Sequence, residues 1–168
     1  MLTDLVQIGR LGEKKREENR KLRVHMKTHG AAERRLRRIA ERIEDEIDCT
    51  ACANCCRVAT VRLRERELDS LARHIGVSRR EFARDYAEKT EQGWILKRTG
   101  QGCVFLEGNL CSVYEARPMT CEDFPHLARG EGSLVSRMWE MPDRATYCPI
   151  AYNTLEAFKG ELGVPSHK

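Results

Sequence analysis

The chain has 168 residues, 40% hydrophobic and 33% charged, with a net charge of +4 at pH 7. That length suits one domain with an appended arm, and it exceeds the range below about 40 residues where cross-links become necessary for a core. No apolar run approaches the roughly 18 residues of a membrane span, which excludes a helical membrane protein.

The charge is uneven. Residues 1–40 hold 12 Lys/Arg against 5 Asp/Glu, a net of +7, whereas residues 41–168 hold 18 against 21, a net of −3. The opening "MLTDLVQIGRLGEKK" has no basic leader, no long apolar run and no small-residue cleavage site, so no export signal is read there. The expected compartment is the cytoplasm, where stable disulfides are rare. Eight cysteines in such a chain point to metal binding or redox chemistry.

In chain order, residues 13–29 predict a very polar helix whose few apolar residues, Leu22, Val24 and Met26, allow only weak docking at its end. Gly30 is a stop signal. The segment 31–48 then places Leu36, Ile39, Ala40, Ile43 and Ile47 on one helical stripe, an amphipathic helix running into Cys49. Residues 57–67 start extended. Helices follow on either side of Gly76, the second capped by Ser78 with Glu81 at the capping-box position. Residues 94–114 read as β structure, with a hairpin turn at Glu107-Gly108-Asn109. A short turn or helix closes at Pro125, and 133–139 forms a short helix. The last helix turns Ile150, Leu155, Phe158 and Leu162 inward and stops at Gly163.

The cysteines run Cys49-x2-Cys52-x2-Cys55-Cys56, then Cys103-x7-Cys111-x9-Cys121, then Cys148. A C-x2-C step lets two thiolates close on one ion from a tight turn, and Cys103 and Cys111 flank the hairpin turn. Four cysteines in eight residues do not fit the use of cysteine as a small buried hydrophobe. Eight thiolates suffice for two closed zinc sites. Bacterial ferredoxins use C-x2-C-x2-C with a distant Cys-Pro, and here Cys49, Cys52, Cys55 and Cys148-Pro149 repeat that pattern. Cys56 then points away from the run, towards Cys103, Cys111 and Cys121, so the doubled cysteine links two neighbouring centres. On that pattern an iron–sulfur cluster is favoured over zinc.

"DCTACANCCR", "CVFLEGNLCSVYEARPMTCEDFP" and "YCPIAYNTLEAFKGEL" together resemble the YkgJ-like cysteine-cluster proteins, a zinc- or iron-chelating domain family with a CxxCxxCC motif, over residues 45–162. The resemblance implies chelation by all eight cysteines and makes Arg117 and Pro118 the rigid turn that presents Cys121. It is also similar in part to flagellin lysine methylases, but the chain is too short for such an enzyme and has no Gly-rich loop for a methyl donor, so methyl transfer is not carried over.

Arg117 is read either as a donor to the anionic sulfurs or as a surface partner of Glu115 or Asp123. His126 is the histidine nearest the later cysteines, but eight thiols already suffice without it. Phe105, Tyr114, Phe124 and Trp139 are expected as core around the metal. "LDSLARHIGVSRREFAR" resembles a DNA-binding helix-turn-helix, yet Glu81 and Asp85 dilute its second helix. The basic arm has no aromatics for base stacking, which argues against nucleic acid. No catalytic signature is recognised.

The expected fold is a small, mainly α-helical α+β domain, with a short β-hairpin beside a cysteine metal site. A basic helical arm spans 1–44 and the chelating domain 45–163. The expected function is binding of iron or zinc, in a redox or structural role. The alternatives are a zinc-stabilised nucleic-acid module or an accessory subunit of a modifying enzyme, with a protein partner to match.

Overall fold

The computed structural model describes residues 1–29 and 31–163, so the expected helix stop at Gly30 lies outside them. Three helices open the chain, α1 (Leu5–Lys14), α2 (Arg16–Thr28) and α3 (Ala31–Glu46). Two short helices carry the clustered cysteines, α4 (Cys49–Cys52) and α5 (Asn54–Val58). Then come β1 (Arg62–Leu63), α6 (Glu65–Ile75), α7 (Arg79–Asp85), β2 (Ala87–Thr90) and β3 (Gly93–Leu96). Two small ribbons follow, β4 (Arg98–Thr99) with β5 (Gly102–Cys103), and β6 (Leu106–Glu107) with β7 (Leu110–Cys111). The chain ends in α8 (Met119–Glu122), α9 (Leu134–Arg137), α10 (Met141–Arg144) and α11 (Pro149–Glu161). The fold is the expected mainly helical α+β one, and no helix among the described residues is long and apolar enough to cross a membrane.

The chain forms two compact units, residues 1–48 with 123–168, and residues 49–122. The first is built on α3 and α11. The α3 stripe Leu36, Ile39, Ala40, Ile43 and Ile47 is buried as its 3.6-residue spacing requires, in one core with Ile150, Leu155 and Phe158 of α11. Two helices were not expected: α1, capped by the Asp4 carboxylate accepting the Gln7 N–H at 2.8 Å, and α10. α1 lies so close to the chain after α10 that a Cβ on Gly12 would sit 2.8 Å from the Thr146 Cα.

The polar helix docks more firmly than its composition implies. Leu22 and Met26 are buried while Val24 is exposed, and the seam with α11 is closed by charge. Lys15 pairs with Glu156 at 2.5 Å, and Lys159 pairs with Glu18 at 3.1 Å and also with Glu156. Lys159 is 0% exposed, so these pairs must compensate the loss of hydration that a count of apolar residues does not register.

The second unit holds an antiparallel sheet in the order β1-β3-β2, with Arg62 opposite Ile95 and Ala87 opposite Leu96. β2 was not foreseen, because its outward residues Glu88 and Lys89 interrupt any apolar alternation. α6 and α7 meet at Gly76, and Ser78 caps α7 in a reciprocal capping box with Glu81, as the sequence indicates. The core combines Leu63, Leu68, Leu71, Phe82, Leu96, Phe105 and Val113 with Cys103.

Candidate metal centre

The tandem C-x2-C run folds as two short helices broken at Ala53. Ala53 adopts a left-handed conformation (φ 47°, ψ 17°), unusual for a residue with a Cβ, and its N–H donates to the Cys49 carbonyl at 2.8 Å. The reversal separates Cys49 and Cys52 on α4 from Cys55 and Cys56 on α5. Cys49 is exposed, while Cys52, Cys55 and Cys56 are half-buried.

The two ribbons deliver the next pair. Cys103 ends β5 opposite Arg98, and Cys111 ends β7 opposite Leu106. β5 runs directly beside α5, and Gly102 makes this approach possible. Its φ is 135°, and a Cβ there would lie 2.7 Å from the Cys56 carbonyl oxygen and 2.9 Å from the Arg57 Cα.

Arg57 and Asn109 then tie the β6–β7 turn to the cysteine run. The Arg57 guanidinium donates to the Cys52 carbonyl at 2.9 Å, to the Gly108 carbonyl at 2.9 Å and to the Asn109 side-chain oxygen. The Asn109 amide donates back to the Ala51 carbonyl at 3.1 Å. On the other side Arg98 donates to the Ala59 carbonyl at 2.7 Å and to that of Arg57.

Cys121 comes from α8. The Pro118 carbonyl accepts the Cys121 N–H at 2.8 Å, and the Glu67 carboxylate accepts the Met119 N–H at 3.0 Å. The Thr120 hydroxyl donates to the Arg62 carbonyl at 3.0 Å. Buried Pro118 and these ties hold the turn that presents the thiol.

Four of the eight thiols, Cys56, Cys103, Cys111 and Cys121, thereby belong to the same core, and the charges of the other three all act on Cys121. Burial pushes the Cys121 thiol up to about 12, with the neighbouring sulfurs adding to it. Burial likewise raises Cys103 and Cys111 above the ordinary thiol range. Cys56 goes the other way. A hydrogen bond with the Cys55 thiol holds it at about 6 against the opposing effect of burial, and the Arg57 charge assists. One thiol inclined to ionise beside three that desolvation keeps protonated is a donor set that a soft, positively charged centre would draw into the thiolate form.

Arg117 does not donate to a sulfur and pairs with neither Glu115 nor Asp123 among the described residues. Its guanidinium lies 3.9 Å from the centroid of the Tyr114 ring, and its charge favours the ionised forms of Cys111 and Cys121. Tyr114 is 51% exposed and Trp139 73%, so neither is core as expected; each carries an arginine on its ring instead. Phe105 is buried and stacks on Tyr86 and Phe82.

Cys148 belongs to the other unit, where it is buried as the N-cap of α11 and its sulfur accepts the Ala151 N–H at 3.5 Å. His126, in that unit too, has a left-handed backbone (φ 66°) whose carbonyl accepts from Arg137 at 2.8 Å. None of the eight cysteines is joined to another by a disulfide. Among the described residues no three His, Cys, Asp or Glu side chains are set closely enough to hold one ion.

The supporting residues Gly102, Arg57 and Glu67 are not singled out by the sequence, which marks Asn109 only as part of a hairpin turn. Gly102 directly before Cys103, and Arg57 directly after the double cysteine, were the available signals. Glu67 had none, since its partner lies 52 positions away.

A family model described as "putative zinc- or iron-chelating domain" and named for the CxxCxxCC motif matches residues 48–149. No curated protein and no solved structure matches the chain.

Proposed function

The chain belongs to the CxxCxxCC family of zinc- or iron-chelating domains, and from that premise we propose that Cys56, Cys103, Cys111 and Cys121 hold one closed, all-thiolate metal centre. The observation that supports it most is the gathering of these four thiols from α5, β5, β7 and α8 into one core, where each acts on the charge of Cys121. Four thiolate donors with no carboxylate or imidazole among them suit iron–sulfur or zinc, and leave no open position of the kind a hydrolytic zinc site needs. The role is therefore structural or electron-transferring. Arg117 offsets the net negative charge of the thiolates from its position on Tyr114, and Pro118 fixes the turn of Cys121. Binding includes a contraction of the four sulfurs and release of the protons on Cys103, Cys111 and Cys121.

Cys49 and Cys52, before the Ala53 reversal, and Cys55, after it, are the donors for a second centre. The ferredoxin-like spacing of that run favours an iron–sulfur cluster there. Metal analysis and an absorption spectrum of protein purified without oxygen test the proposal. Iron with acid-labile sulfide and a broad band near roughly 400 nm indicates clusters. Colourless protein with about two zinc ions per chain indicates closed zinc sites. Protein that binds neither metal tightly overturns the proposal.

A further inference from the structure

The basic arm carries no Phe, Tyr or Trp of its own on which a base could stack. The fold supplies one from elsewhere in the chain. Trp139, 73% exposed, lies under α2, with the Arg23 guanidinium 5.6 Å from its ring centroid. Arg23 is fixed there by donating to the Val135 carbonyl at 3.4 Å.

Arg23 belongs to a row of cations on one flank of α2. Arg16, Arg20, Arg23 and Lys27 follow an i, i+4, i+7, i+11 spacing, which places them along about 16 Å of one helix face. The buried face, with Asn19, Leu22 and Met26, is a different one. Lys27 is exposed and has no ion-pair partner among the described residues. Arg20 pairs with Glu17 at 3.1 Å, an exposed contact within one helix turn, and Arg16 pairs with Glu13 at 2.6 Å and with Asp143. Arg20 is exposed and Arg16 half-buried, and pairs this open to water contribute little and exchange readily for a phosphate oxygen.

We infer that this flank of α2, with the indole of Trp139, is a binding surface for single-stranded nucleic acid. The cations track the phosphates, and the outer face of the indole stacks a base while Arg23 lies against its inner face. A duplex keeps its base faces inside the stack and would not use the indole. An acidic protein would use the cations but not the ring. The exposed ring beside an ordered row of cations therefore favours an unpaired strand. This surface shares no residue with the metal centre.

The test uses the full chain with Trp94→Phe, which leaves Trp139 as its one tryptophan, since the sequence has two. An oligouridylate of about 12 nucleotides, within the range that one such surface engages, is titrated in. Trp139 emission should be quenched, and binding should weaken with salt along a log–log slope near about −3 for four cations on a single strand. Trp139→Leu, which leaves no tryptophan and is therefore read by the fluorescence anisotropy of an end-labelled strand alongside the parent, should weaken binding about tenfold or more while keeping that slope. Arg20→Glu with Lys27→Glu should weaken binding and flatten the slope. Metal content should match the parent in every variant. No binding at low salt overturns the inference. So does binding that polyglutamate competes for equally well and that Trp139→Leu leaves unchanged, which would mark the surface as a dock for an acidic protein.

Discussion

Cys56 and Cys121 respond oppositely to the same surroundings. Both are half-buried, yet one is held at about 6 by the Cys55 thiol and the other is driven to about 12 by burial. The consequence for the metal-free protein has a definite sign. Cys56, lowered from 9.0 to about 6, contributes stability that is complete above pH 9 and is lost as pH falls through about 6. Cys121, raised from 9.0 to about 12, contributes stability that is complete below pH 9 and is lost as pH rises towards about 12. Melting temperatures of chelator-treated protein should rise from pH 6 to 9 and then fall, and Cys56→Ser should remove the rising limb. A rising limb that survives Cys56→Ser would show that another group is responsible. Gly102 gives a second prediction at this scale. Gly102→Ala forces a Cβ to 2.7 Å from the Cys56 carbonyl at φ 135°, and should cost about 1–3 kcal/mol in urea unfolding and reduce metal retention.

The elements around the thiols are too short to hold themselves. α4, α8 and the two ribbons have two to four residues each, so their positions depend on side chains that reach across. Arg57 is the principal tie, gripping Cys52, Gly108 and Asn109 together. Arg57→Ala should destabilise the metal-free protein by roughly 2 kcal/mol, since hydrogen bonds from a charged group contribute about 1.5–3 kcal/mol each and part is regained from water. It should also speed metal loss to a competing chelator, as read by a stopped-flow trace. An unchanged off-rate would mean that the hairpin is placed by packing alone. These ties explain what was legible at this scale. The helix stripe of α3, the Ser78–Glu81 capping box and the 107–109 turn each lie within a few residues, so local rules reveal them. β2, α10 and the Glu67–Met119 contact depend on distant partners, and local rules do not.

For the whole molecule, the cysteine spacing made the chemistry legible while the arrangement of charge stayed hidden. Residues 13–29 look solvated because their charges outnumber their apolar groups, but Lys15 and Glu18 are paired with Glu156 and Lys159, 141 positions away. No periodicity encodes such a pairing. Trp139 was misread for the complementary reason: an aromatic residue among Leu134, Met138 and Met141 reads as core, yet its side chain faces outward under Arg23. Glu156→Ala leaves fully buried Lys159 with Glu18 as its one ion-pair partner among the described residues, and should cost about 3 kcal/mol or more in equilibrium unfolding. The proposed four-thiol centre draws on residues 49–122 alone, so metal content of that variant should stay at the parent level. Loss of metal with an intact fold would show that the two units are coupled in a way that the donor set does not require.

The most direct test of the central claim is thiol alkylation read by mass spectrometry on the metal-loaded protein, with and without chelator. Cys56, Cys103, Cys111 and Cys121 should be protected while metal is bound and should become reactive together when it is removed. If those four react at rates that the chelator does not change, or become reactive one at a time as metal leaves, they do not form one centre.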